Sequence, residues 1–349
     1  MVPRKLIFHI GPHKTGTSAV QRVLRTGGQR ELLYPQVGLW ETDGAHHGLV
    51  FNFYRDFSRP DVPRLDVSAM LSELGRQVAA SDAGVVLLSS EELEGRDLQP
   101  FHDAVLAALP PADWHTEVLF TYRDHVARAS SLYNQWVKDG AVALTLTPDE
   151  FLRAEKNALC YRPALEELKA AGLRVNLVQY EPSATFVPRF LAFLGIETPP
   201  DRDSEVVNVS LSPVGLVAML GLNTLAPNLE ARDAAFRHFQ SNPWMWARST
   251  DVFGLEIRRQ IAPLFAEDRA YLEREFGVVL PAAGSTPDQT AATDGIVLGP
   301  EELTRLAEAS RGIGPLCEPL LEFAQRFRAP TPTGWKAILR ALADFIRPR

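Results

Sequence analysis

Leu6-Ile7-Phe8-His9-Ile10-Gly11-Pro12-His13-Lys14-Thr15-Gly16-Thr17-Ser18 is the stretch on which the fold turns. Its first five residues form a short apolar run, as expected of a strand covered on both faces. Val20, Val23 and Leu24 then recur at helical spacing. A strand, a glycine-bearing loop and a helix N-terminus in that order form an anion cradle. Unpaired backbone N–H groups and the positive helix end both point into the loop. A nucleoside-triphosphate loop reads GxxxxGK[ST]; Gly11 and Gly16 keep that separation, but Thr17 stands where the lysine belongs. Lys14 lies inside the loop instead, where a cation beside a helix N-terminus is electrostatically out of place unless an anion compensates it. Thr17 and Ser18 supply hydroxyl donors for phosphate oxygens, and Thr15 supplies its backbone N–H.

A chain of 349 residues buries a large core, as one big domain or as a domain with a helical extension. Hydrophobic and charged fractions of 46% and 23% are ordinary for a globular protein. The net charge of −7 argues against a general nucleic-acid binder. Cys160 and Cys317, with no CxxC spacing, exclude a disulfide framework and a cysteine-based zinc site and suit a reducing compartment. No stretch approaches a membrane span, and the N-terminal apolar run, interrupted by His9, is too short for a signal peptide. The expectation is a cytoplasmic enzyme.

Three more β-like runs, Val85–Leu88, Val118–Tyr122 and Val175–Tyr180, alternate with helical patterns over 67–80, 125–138, 164–171 and 184–194. Alternation of this kind predicts an α/β fold, a P-loop-like parallel sheet flanked by helices. Ligands of such sheets bind beyond the carboxyl ends of the strands, where every motif here falls. The character changes near Thr198-Pro199-Pro200-Asp201, which divides the chain into a core over 1–200 and a helical region over 201–349. From Leu211 onward strands vanish and helices are predicted over 214–225, 229–239, 253–276 and 301–327, with a surface loop over 281–300. Phe236, Phe239, Trp244, Met245 and Trp246 line an acceptor pocket or, the plainer reading, form core. A last amphipathic helix sets Trp335, Ile338, Leu339, Leu342, Phe345 and Ile346 on one face, for docking on the core or on a partner subunit.

The second motif is Tyr122-Arg123-Asp124 at a strand end, followed by a helix. Arg123 and Ser131, two turns into that helix, are spaced to face one anion above the sheet; the alternative is an Arg123–Asp124 pair and a surface serine. Beyond the strand Val85–Leu88 comes Ser89-Ser90-Glu91-Glu92, with acids on the same edge as Lys14 and Arg123. Glu91 is the first choice of general base, though a turn there exchanges it with Glu92. His46-His47, in a loop containing Gly and Asp, is the second, because neutral imidazole suits proton abstraction. His13 shapes the loop rather than acting as base, since neighbouring positive charge depresses its proton affinity.

With these residues in view, the chain resembles the sulfotransferases that use 3′-phosphoadenosine 5′-phosphosulfate (PAPS). Its GxxKxGT[ST] loop is closest in wording to the carbohydrate sulfotransferases of that family, and it looks like a bacterial member. The resemblance covers roughly the first half: the loop, the Arg123–Ser131 pair at the family's eight-residue spacing, and Tyr180-Glu181 after a strand. It implies sulfuryl transfer to a hydroxyl or amine of a small-molecule, carbohydrate or lipid acceptor, without metal, leaving adenosine 3′,5′-bisphosphate (PAP). It also implies that Lys14, Thr15, Gly16, Thr17 and Ser18 hold the 5′ end, that Arg123 and Ser131 grip the 3′-phosphate, and that Tyr161 stacks on adenine, with aromatic core packing as the equal alternative for Tyr161. Lys14, with Glu91 or His47, would carry the chemistry. Two family features are missing, the C-terminal RKGxxG segment and the cysteine-bounded loop. The rival expectations are a P-loop kinase of a small metabolite and a non-catalytic nucleotide-binding scaffold.

Overall fold

The computed structural model describes residues 3–27, 30–58, 61–181, 185–196, 209–247, 250, 252–280 and 296–328. Its central element is a five-stranded, wholly parallel sheet of β1 (Arg4–Ile10), β2 (Leu32–Leu33), β3 (Val85–Ser89), β4 (Trp114–Tyr122) and β5 (Arg174–Gln179), in the order β2-β3-β1-β4-β5. The predicted strands are all present. β2 escapes sequence reading because two leucines carry no periodicity.

The helices in chain order are α1 (Thr17–Arg25), α2 (His47–Tyr54), α3 (Val67–Ala79), α4 (Leu98–Ala108), α5 (His125–Lys138), α6 (Pro148–Glu155), α7 (Arg162–Ala170) and α8 (Phe186–Phe193). There follow α9 (Pro213–Leu225), α10 (Leu229–Phe239), α11 (Leu255–Leu264), α12 (Ala266–Phe276), α13 (Pro300–Ser310) and α14 (Cys317–Ala324). Side-chain alternation along β1 divides the core. Leu6, Phe8 and Ile10 pack with α3, α4 and α7 on one face of the sheet. Ile7 packs with Val20 and Leu24 of α1 and with Phe186 and Phe190 of α8 on the other.

The chain forms two compact units. The first comprises residues 1–129, 155–207 and 262–282, and the second 130–154, 208–261 and 283–349. The region after residue 200 corrects three expectations. Strands do not vanish after 211, because Ser210–Leu211 pairs antiparallel with Trp246–Ala247. The helix expected over 253–276 is two, parted after Pro263 by the non-helical Phe265. The helix expected over 301–327 breaks at Gly314, which has φ 59° and is followed by Pro315. Phe239 and Met245 are fully buried, the core alternative rather than an open pocket wall. The Trp335–Ile346 face lies outside the described residues.

Candidate active site

β1 and β4 are parallel neighbours in the sheet, and the loops that carry both motifs follow their carboxyl ends, the edge at which such sheets bind ligands. The Gly11–Gly16 loop follows β1. Gly11 admits no side chain, since a Cβ there would stand 1.8 Å from Thr121 Oγ1 of β4. Thr15 ties the loop down, donating to Pro12 O at 2.7 Å and lying 2.9 Å from Thr121 Oγ1. Gly16 has φ 85°, and a Cβ there would strike the Tyr180 ring at 2.1 Å, so both conformation and space demand glycine. Lys14 is also left-handed, with φ 75°, an uncommon state for a residue with a side chain. No side chain caps the N-terminus of α1, so its leading amides face the loop without a built-in acceptor.

At the end of β4, Arg123 is largely buried, and burial pushes its guanidinium below the ordinary arginine value. Its Nη1 donates to Lys14 O at 3.4 Å, and the guanidinium lies 5.3 Å from the Tyr180 ring centre. Its Nε has no hydrogen-bond partner, and among the described residues no carboxylate reaches ion-pair distance of it. The Arg123–Asp124 pair is not made. Asp124 Oδ1 accepts from Val126 N and Ala127 N, capping α5, while Oδ2 meets Arg269 Nη1 at 3.3 Å. Tyr161 offers no face to a base. It is fully buried, and its hydroxyl donates to Arg123 O at 2.6 Å and accepts from Arg123 N at 3.1 Å, while Phe120, Tyr122 and His125 surround its ring. Its contribution is to fix the backbone of Arg123. Ser131 falls in the portion of α5 that belongs to the second unit and is half-buried there.

Beyond β3 the two base candidates meet. Glu91 is buried and accepts from Thr17 Oγ1 and, at 2.9 Å, from Gln21 Nε2. His47 Nε2 lies 3.5 Å from Glu91 Oε2 and 3.8 Å from Asp43 Oδ2, and its Nδ1 is 2.7 Å from Ser90 Oγ. Burial pushes the Glu91 carboxyl up, but His47 and the hydrogen bonds from Thr17 and Gln21 outweigh it and hold the group below the usual carboxylate range. Glu92 is partly exposed and faces His13, at 3.8 Å.

His46 and His47 are not loop surface groups. His46 caps α2 and His47 begins it, both buried. His46 Nδ1 accepts from Ser89 N at 3.1 Å, so Nε2 is the protonated nitrogen and donates to Pro35 O at 2.9 Å. Burial brings its pKa down to about 4. His9, within β1, behaves alike: Nδ1 is 2.8 Å from Ser89 Oγ, and burial, against the pull of Glu91, lowers its pKa to about 4.

Sequence reading missed Gln21, Ser90, Tyr180 and Arg128. Gln21 sits four residues beyond Thr17, one turn along α1, and that helical spacing was the available signal. The place of Tyr180 after a strand gives no sign of its ring against Gly16. A cavity of about 600 Å³ is lined by Ile10, Leu93, Glu94, Leu98, Phe120 and Leu168, apart from Lys14, Arg123 and Glu91. Among the described residues, no group of three or more His, Cys, Asp or Glu side chains is placed to hold a metal ion, and no helix is long and apolar enough to cross a membrane.

No protein-family model matches this chain, and neither does any curated protein sequence. Among solved structures, the mouse sulfotransferase SULT7A1 complexed with PAP is similar at 13% identity and a TM-score of 0.37, over 78% of this chain and 88% of that one. A likeness at that level carries neither residue roles nor a ligand across.

Proposed function

We propose that the chain is a sulfotransferase that moves a sulfuryl group from PAPS to a hydroxyl or amine of a small-molecule, carbohydrate or lipid acceptor. The observation that carries this reading is Arg123: a largely buried guanidinium with no carboxylate at ion-pair distance among the described residues, bonded to the carbonyl of Lys14 in a loop that ends on a helix without a side-chain cap. Unpaired buried charge is costly, and an anion held by both features removes the cost. PAPS supplies two anionic ends and an activated sulfuryl group. The amides of Thr15 to Ser18 and the side chain of Ser18 take its 5′ end. Arg123 reads its 3′-phosphate.

Transfer is an in-line displacement through a loose, charge-spread transition state, for which positioning and electrostatics are the protein's main contribution. The acceptor oxygen or nitrogen forms the new bond to sulfur as the bridging oxygen of PAP departs with the electron pair. Lys14 stabilises the charge on that oxygen, worth on the order of 3 kcal/mol. The acceptor's proton passes to the Glu91–His47 pair, in which Glu91, anionic and held by Thr17 and Gln21, is the first receiver. The cysteine usage fits a cytoplasmic setting.

Thermal denaturation with PAP, without magnesium, tests the reading. A hundredfold excess over Kd stabilises by about 2.7 kcal/mol. Stabilisation by ATP with magnesium but not by PAP would instead make the chain a kinase, and no response to either, a scaffold. Transfer of label from ³⁵S-PAPS to a panel of sugars, phenols, sterols and lipids then identifies the acceptor.

A further inference from the structure

The loop stands in an unfavourable backbone state, and the structure holds it there from behind. Lys14 is left-handed two residues before the left-handed Gly16. Conformations of this type turn successive N–H groups to one side, forming an anion-binding concavity. The carbonyls then need partners on the other side, and two guanidiniums supply them. Arg123 Nη1 donates to Lys14 O, and Arg128 Nε donates to the preceding carbonyl, His13 O, each at 3.4 Å.

Arg128 is 3% exposed and engaged on every side of its fork. Its Nη1 donates to Leu159 O at 3.1 Å, Nη2 lies 3.7 Å from Glu94 Oε1, and the guanidinium lies 5.1 Å from the Tyr161 ring centre. The same Tyr161 fixes Arg123 through both its backbone N and O. The two arginines are thus braced on one aromatic and grip the carbonyls of two successive residues in the loop.

We propose that Arg128 is a positioning residue: with Arg123 it clamps the carbonyls of His13 and Lys14, and so keeps Lys14 in the left-handed state that aims the loop's amides at an anion. This rests on the reading of the loop given above. The planar fork matters, since a lysine ammonium cannot reach a loop carbonyl, Leu159 O and Glu94 at once in the same geometry.

The test compares wild type, Arg128→Met, Arg128→Lys, Lys14→Gly and the Arg128→Met/Lys14→Gly double variant. PAP affinity by calorimetry should fall about tenfold in Arg128→Met. On Lys14→Gly, whose residue 14 takes positive φ freely, the same change should cost less than about twofold. Equal losses in both backgrounds overturn the proposal, because a merely structural role would not depend on residue 14. Amide hydrogen exchange without any ligand is the second arm. Arg128→Lys keeps a charge beside Glu94 and should keep the melting temperature, yet its amides over residues 14–17 should exchange about tenfold faster while β1 and β4 stay protected. Wild-type exchange there also overturns it. Should wild type fail to bind PAP, the sulfotransferase reading falls, and the exchange arm still decides the role of Arg128.

Discussion

Two strand ends in one sheet carry opposite charges in opposite circumstances. Beyond β3, the Glu91 carboxylate is met by Thr17, Gln21 and His47. Beyond β4, the Arg123 guanidinium has a backbone carbonyl and an aromatic face, an unpartnered Nε and, among the described residues, no carboxylate at ion-pair distance. A buried ion with a full set of partners is a finished device, preorganised to act on whatever reaches it. A buried ion without a counter-charge is half of an interaction whose other half arrives with a ligand. Asp124, the acid next in sequence, could have neutralised Arg123 but caps α5 and meets Arg269 instead.

Turnover is where the comparison breaks most visibly. Glu91→Gln should lower kcat at least about a hundredfold if this carboxylate is the base. A smaller loss than that of His47→Ala would transfer the role to the imidazole. Lys14→Ala should cost about two powers of ten in kcat with PAP binding still measurable, and unchanged turnover removes Lys14 from the chemistry. Stability separates the two ends next. Glu91→Leu strands the Gln21 amide, the Thr17 hydroxyl and His47, and should cost roughly 3 kcal/mol in urea denaturation. Arg123→Met removes a charge that makes no ion pair among the described residues and should leave stability unchanged or raised; a loss like that of Glu91→Leu would show Arg123 to be a structural ion.

Ligand discrimination sharpens the guanidinium's half. Arg123→Ala should weaken PAP about tenfold or more and a 3′-dephospho analogue far less. Equal losses would show that Arg123 does not read that phosphate.

The smallest effect is in pH. His9 and His46 have folded pKa values of about 4 against 6.5 unfolded, chiefly through burial. Between those values the unfolded chain binds more protons, so stability is full above pH 6.5 and declines as pH falls toward 4. The combined slope should reach at most about 2.7 kcal/mol per pH unit. Imidazole NMR signals of both residues that titrate near pH 6.5 would contradict it.

Much of the fold was open to sequence reading because its signals are local. β1, β3, β4 and β5 each carry a short, largely apolar segment, and the periodicity of α5 bounds it correctly at His125–Lys138. α2 was missed because His47–Tyr54 is buried nearly all round and so shows no polar stripe. At the site, Lys14, Gly16, Glu91 and Arg123 were recognisable as residue types in a loop or at a strand end. Tyr161 stayed open between ligand stacking and core packing, since an aromatic beside a motif looks the same in sequence either way, and its burial makes it core. Arg128 gave no sign, because its partners are backbone carbonyls, which every residue has.

Sequence alone determined that strands alternate with helices about a parallel sheet, and that the first loop, with its lysine inside, suits an anion other than one held by a Walker lysine. These follow from periodicity and from the backbone freedom of glycine, both properties of neighbouring residues. Tertiary structure alone decided which charges are satisfied. Thr17 meets Glu91 across 74 positions and Asp124 meets Arg269 across 145. Whether a buried ion finds a counter-charge depends on side chains brought in from distant elements, and no local pattern encodes them.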